Sequence, residues 1–345
     1  MKVTVTTYLN RRLNTPQTLP DNKSGYLALG DVIEVAEVLQ GQMIEGVDTW
    51  LKSTDGNFFW SGGTNYNALT NYANRIVNMP QAWKDSKGKG ITVALLDSGI
   101  TTTHPVLKPI LNKHLNLAKS FVPNIISIED VRGHGTAMAG LVGGIAPACD
   151  LLIMKVLDDK GNTIPQALAE ALDEMVVLKP KIINLSLGVT QKQYDGITYT
   201  KGETIKAKID TLAANGVLMV ATAGNDTTLT DSEIYYMAMN DNVISVGASS
   251  SKLEMNKINK SVDFIFYNSQ LQTTGIDGGV DAVTKNTSAY TAMVSGIVAT
   301  LLSVNVVPVG YTVKDFIIEQ LETIASEINN FNQPSDSEII IYKIN

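Results

Sequence analysis

The chain of 345 residues has one cysteine, Cys149, so no intrachain disulfide can form and the fold must rest on packing. It also lacks an excess of cations: 27 Lys and Arg stand against 34 Asp and Glu, a formal net charge of -7. That balance offers no broad positive surface to a polyphosphate backbone, and nucleic acid is not expected as a partner. No run reaches the roughly 18 uninterrupted apolar residues of a membrane span, and Met1 to Arg12 contain no apolar stretch of signal-peptide length. No membrane span is expected and the chain reads as cytoplasmic, although one secreted and trimmed of its leader would read the same way. Internal repeats and low-complexity segments are missing too. What is there is a 44% hydrophobic composition, enough for a large core, over a length that suits one large domain plus a small one.

From Val3 to about Trp60 the pattern is short β-prone runs broken by turns: Val3 to Tyr8, Tyr26 to Leu29, Asp31 to Val38, Thr49 to Leu51 and Phe58 to Trp60. Asp55-Gly56 sits between the last two, and such a dipeptide accepts the positive φ angles of a tight hairpin. This predicts a small all-β module over residues 1–63. Its Gly30-Asp31 before an apolar run, the Trp50 strand and the closing aromatic strand resemble bacterial SH3-like modules, which implies a peptide or cell-wall ligand. A polar stretch from Ser61 to Asn74 follows, and residues 64–80 are expected to form a linker or outer strap.

After Trp83 short apolar runs alternate with helical stretches, as βαβ units around a parallel sheet buried on both faces require. The candidate strands are Ile91 to Leu96, Leu151 to Val156, Ile182 to Leu187, Val217 to Thr222 and Val243 to Ala248. Thr163 to Leu178 and Lys201 to Asn215 carry a helical period, the second ended by Gly216. Ala289 to Leu302 is apolar almost all round and is expected to be a central helix.

Four motifs fall at the ends of these elements. Leu95-Leu96-Asp97-Ser98-Gly99 puts an acid where a buried strand ends, the place where parallel sheets present functional groups, though such an Asp can simply open a turn. Gly133-His134-Gly135-Thr136 puts an imidazole at a helix start with a glycine on either side; a capping or surface His would look alike. His104 and His114 have no comparable setting. Asn286-Thr287-Ser288 leads the apolar helix, where a hydroxyl and a free N–H meet the positive helix end, but serine is also a preferred N-cap. Ala221-Thr222-Ala223-Gly224-Asn225 ends a strand with a side-chain amide suited to a developing oxyanion, or to a turn. The neighbouring strand ends in Asn184-Leu185-Ser186-Leu187-Gly188, whose backbone suits pairing with an extended peptide.

Acid, histidine, amide and serine in this order are similar to the subtilase family over about residues 75–325. Further matching features are Gly88-Lys89-Gly90 before a Val-containing strand, His104-Pro105-Val106-Leu107, Ala139-Gly140, and Val294 with Gly296. The resemblance implies a subtilisin-like doubly wound parallel α/β sheet over residues 81–345. It implies a serine endopeptidase with Asp97 as orienting acid, His134 as general base, Ser288 as nucleophile and Asn225 as oxyanion donor. Ser186, Leu187, Gly188, Ala223 and Gly224 become walls of a cleft for protein or peptide substrates. No cofactor is needed for that chemistry. Many relatives use structural calcium, yet no Asp-rich loop here compels a site.

Several positions depart from the family pattern: Asn286 for Gly, Ala289 for Met, Ala292 for Pro, Ala137 for His, and no Ala-Pro-Gly element between Phe264 and Thr284. Asn tolerates left-handed backbone, so Asn286 is expected to keep a glycine-like geometry. The substituted serine box leaves a second reading, a catalytically impaired or latent binding protein on the same fold. A cysteine enzyme built on Cys149 is a third, although a free Cys before a buried strand is usually a small hydrophobe. The glycines from Gly133 to Gly144 lack the Gly-x-Gly-x-x-Gly spacing of a nucleotide site.

Overall fold

The computed structural model describes residues 1–45, 47–66, 72–188, 205–224, 235–249, 262–267, 271–283, 286–327 and 338–343. At the N-terminus, β1 (Lys2–Thr4), β2 (Leu9–Arg12), β3 (Lys23–Leu27), β4 (Val32–Ile44), β5 (Val47–Ser53) and β6 (Phe58–Trp60) form an antiparallel sheet in the order β1-β4-β5-β6-β2-β3. The start of β4 alternates exposed and buried residues with period two. Ile33 and Val35 thereby meet Val3, Leu51, Phe59 and Tyr66 in one small core. The expected hairpin is present, with Gly56 at φ 84° and Leu51 paired to Phe59. β2 lies outside the β-prone runs of the sequence and pairs with β3 although Asn10, Arg11 and Arg12 give it no apolar signal.

Past Trp60 the chain stays bound to this module: Thr6 N–H donates to the Gly63 carbonyl (2.9 Å) and Thr4 N–H to Asn65 Oδ1 (2.8 Å). Tyr72 and Ile76 already lie in the large core that follows. Two side chains of the following region, Val106 and Val280, pack against the small core.

The second sheet runs through β7 (Thr92–Asp97), β8 (Lys119–Ser120), β9 (Asp150–Lys155), β10 (Ile182–Leu185), β11 (Leu218–Thr222), β12 (Val243–Ser249) and β13 (Phe264–Tyr267). A hairpin of β14 (Leu271–Thr274) and β15 (Val280–Val283) stands apart, and β16 (Ser326–Glu327) and β17 (Ile341–Lys343) complete one edge. The order is β16-β17-β13-β12-β11-β10-β7-β9-β8, parallel except where β17 meets β13. Among the described residues, five helices of ten residues or more accompany it: α1 (His134–Ile145), α2 (Pro165–Leu178), α3 (Ile205–Ala214), α4 (Thr287–Leu302) and α5 (Val313–Glu322).

Both faces of the sheet are covered, as the continuous apolar strands require. Val93 and Leu95 of β7 pack with α1 and α4, whereas Ala94 and Leu96 pack with α2 and α3. From β7 the chain first builds β8 and β9 on one side, then β10 to β13 on the other. The order therefore reverses between β7 and β10, and a crevice outside the carboxyl ends of these two strands is where doubly wound sheets place their ligands. The expected central helix is α4, buried at every position from Thr287 to Leu301.

Candidate active site

Asp97 is the last residue of β7 and is fully buried. Its Oδ1 accepts the Ser98 N–H (2.7 Å) and lies 2.7 Å from His134 Nδ1. Among the described residues its Oδ2 has no hydrogen-bond partner. The chain turns away through Gly99, at φ 112°, and a side chain there would strike the Ile128 carbonyl. Gly135 faces the backbone of Gly99, so α1 approaches β7 at a distance no larger residue permits.

His134 opens α1 behind Gly133, which holds φ 91° as the N-cap residue. A left-handed residue at this point is cheap only for glycine. The loop before it is organised by Asp130, a buried carboxylate that sequence reading passed over. Asp130 accepts from the N–H groups of Arg132 (3.0 Å), Gly133 (2.8 Å) and Thr136 (2.9 Å), and from the hydroxyls of Ser98 and Thr136 (2.9 Å each). An acid four places before His134 in a turn was the available signal. Burial raises the Asp130 carboxyl, but the hydrogen bonds outweigh it and its pKa lies below the usual value. Hydroxyls of Thr273 and Thr274 on β14 reach the carbonyls of Ala137 (2.5 Å) and Thr136 (2.6 Å), strapping the first turn of α1.

Burial is the largest influence on His134 and opposes its charge, yet the Asp97 carboxylate, by charge and hydrogen bond, and Asp130 raise its pKa above the ordinary imidazole value. A ring that donates Nδ1–H to Asp97 keeps Nε2 for a second proton.

Ser288 is the second residue of α4. The N-cap is Asn286, in extended backbone at φ -146° and ψ 132°, with Oδ1 accepting the Ala289 N–H (3.3 Å). This corrects the left-handed geometry expected of Asn286: a short amide that caps the helix has no need of positive φ. It also removes the capping role from Ser288, whose N–H, in the first turn, has no intrahelical acceptor. Ser288 Oγ donates to the Ser186 carbonyl (3.1 Å), and Ser186 Oγ donates to the Ser288 carbonyl (2.8 Å). Buried Asn184 continues the network, giving Nδ2–H to Ser186 Oγ (2.9 Å) and accepting from Ser295 Oγ (2.9 Å). A hydroxyl contact between Thr222 and Thr287 ties α4 to the end of β11. The start of α4 is thus fixed to two strand ends by side chains that carry no obvious sequence signature.

His134 and Ser288 line one cleft of about 380 Å³, together with Ser186, Leu187 and Gly188. Tyr235 closes one wall so near Gly188 that a side chain at Gly188 would collide with its ring. Ala223 and Gly224 do not line this cleft; they follow β11, where the Ala223 carbonyl meets the Tyr235 N–H (3.4 Å). Asn225 lies outside the described residues. His104 is buried, accepts the Val106 N–H at Nδ1 (3.2 Å) and places Nε2 3.0 Å from the Gly279 carbonyl. It joins the β14–β15 hairpin to the loop after β7 and does not line the cleft. Among the described residues no three His, Cys, Asp or Glu side chains converge as a metal's donor set would.

The profile of the subtilase family matches residues 88–333. The chain is a subtilase. Among its relatives, it is 31% identical over 207 residues to the major intracellular serine protease of Bacillus subtilis (strain 168), which covers 55% of this chain and 62% of that protein. It is 29% identical over 238 residues to an intracellular serine protease of Paenibacillus polymyxa, covering 65% of this chain and 70% of that one. In three dimensions it is similar to a cold-adapted subtilisin-like serine proteinase, with TM-score 0.57 and 22% identity over 81% of this chain and 98% of the other. A lanthipeptide protease matches with TM-score 0.59 and 21% identity, over 81% and 90%. These likenesses establish the subtilisin-like sheet of this subtilase. The chain thus spans less than two thirds of the Bacillus subtilis relative.

Proposed function

We propose that this subtilase is a serine endopeptidase that uses Ser288 as nucleophile, His134 as general base and Asp97 as orienting acid. The observation that carries the reading is the 2.7 Å Asp97–His134 contact opening on a cleft that Ser288 also lines. Ser288 Oγ turns from the Ser186 carbonyl, bonds to the carbonyl carbon of the scissile peptide and gives its proton to His134 Nε2. The tetrahedral adduct collapses as the C–N bond breaks, and the leaving amine takes that proton. Water repeats the sequence on the acyl-enzyme, its proton passing through His134 back to Ser288. The Ser288 N–H at the helix start supports the oxyanion, and the family resemblance assigns the second donor to Asn225. An extended substrate pairs along Ser186, Leu187 and Gly188. Every step uses groups of the chain itself.

The relatives' names, together with the use of one buried cysteine and no disulfide, favour a cytoplasmic setting. The N-terminal sheet fits an SH3-like module with a peptide or cell-wall ligand. One observation favours a latent protein instead: the Ser288 hydroxyl bonds to Ser186 in this state. Hydrolysis of an unfolded protein by the wild-type chain, and its loss by about 10⁶-fold in Ser288→Ala, decides between them. Intact substrate with well-folded wild type would contradict the endopeptidase reading.

A further inference from the structure

Two cations, Arg132 and Lys160, stand in the lining of the Ser288 cleft, and no carboxylate does among the described residues. This is the reverse of the chain as a whole, whose net charge is -7. Both side chains are exposed, and neither makes an ion pair among the described residues.

The carboxylates nearby make hydrogen bonds or ion pairs with other groups, although the Lys160 charge still acts on Asp158. Asp158 accepts the N–H groups of Lys160 (2.9 Å) and Asn162 (2.8 Å) and the Asn162 amide (3.1 Å). Asp159 pairs with the buried Lys155 (2.9 Å), which also donates to the Glu129 carbonyl (3.1 Å). Asp130 spends both oxygens on the loop before α1, and Glu129 bonds to Thr102. The Arg132 arm also passes beside Gly161, its Nε 3.3 Å from where a Cβ on Gly161 would stand. The two cations share one rim, and Arg132, two residues before His134, is close enough to oppose the charge of that imidazole. A cation outside any ion pair beside a polar cleft gains from a carboxylate brought by the ligand, and a planar guanidinium receives one through two parallel hydrogen bonds.

We propose that this cleft selects protein substrates with an aspartate or glutamate beside the scissile bond, Arg132 and Lys160 being the specificity-determining residues. The inference rests on the endopeptidase reading and specifies its substrate class. A substrate lysine at the same position meets like charge and is disfavoured.

The test uses peptides identical except for Glu, Gln or Lys at one position, scanned along both sides of the bond. They are measured as substrates of the full chain by kcat/KM and as ligands of Ser288→Ala by fluorescence anisotropy. At one position Glu is expected to exceed Gln about fivefold in both assays, the scale of a pair of exposed ion pairs, with Lys below Gln. The advantage shrinks as salt rises, and Arg132→Glu reverses the Glu-to-Lys order. Cleavage without charge discrimination at any position, or discrimination untouched by Arg132→Glu and Lys160→Glu, overturns the proposal and leaves the endopeptidase reading standing. Binding that prefers Glu without cleavage overturns the endopeptidase reading, and with it the substrate role, and leaves only the preference of the cleft for a carboxylate. Absence of binding by every peptide overturns the proposal too.

Discussion

At the scale of single residues, the chemistry rests on one imidazole held between burial, which disfavours its charge, and two carboxylates, which favour it. The base must be neutral, so activity falls as pH drops through the His134 pKa, which lies above the ordinary value of about 6.5. Asp97→Asn leaves burial as the main influence. The acid limb of kcat/KM then moves to lower pH while kcat falls by about 10⁴-fold; a limb that stays in place would detach Asp97 from His134. Asp130 gives a second, structural prediction. Its lowered pKa means that its charge stabilises the fold above the unfolded carboxyl value, and this contribution is lost as pH falls below about 4. Asp130→Ala leaves three N–H groups without acceptors and is expected to cost about 3 kcal/mol in denaturant unfolding. No measurable cost would mean that the loop before His134 is held by other contacts. Cys149 offers no competing nucleophile: it is buried and its thiol is pushed up to about 12.

At the scale of elements, the helix start that presents Ser288 was legible as a helix but not in its details. Sequence patterning finds α4 because fifteen successive positions are apolar or small and buried. It could not choose between Asn286, Thr287 and Ser288 as cap, since all three residue types are competent. The structure chooses Asn286, and the prediction follows from the extended backbone there. Asn286→Ala costs about 1 kcal/mol and Asn286→Gly only a few tenths, read from thermal unfolding. A gain in stability with Gly would indicate a left-handed requirement after all. The tie from Asn184 and Ser186 to Ser295 was not legible because Ser295 lies 111 residues from Asn184. Asp97, His134 and the Ser186–Gly188 edge were legible because a strand end or a helix start beside glycines is itself a sequence pattern.

At the scale of the whole molecule, the alternation of apolar strands and helices revealed a parallel sheet buried on both faces, and the family resemblance supplied its doubly wound order, but its edges remained unread. β8 and β16 are two residues each, and β17 joins antiparallel from the far end of the chain. Lengths of this kind leave no periodicity to detect. The N-terminal sheet packs on Val106 and Val280, and none of its described residues lines the cleft. Removing residues 1–66 is therefore expected to lower the melting temperature without raising Ser288 reactivity; a marked rise would mean that the module covers the cleft. The account depends most directly on Ser288 being an activated nucleophile. The decisive measurement is intact mass after treatment with a fluorophosphonate across a range of pH. The account predicts a single adduct on Ser288, absent in Ser288→Ala and formed more slowly as His134 becomes protonated. Failure of the folded chain to label, or labelling that survives Ser288→Ala, would contradict it.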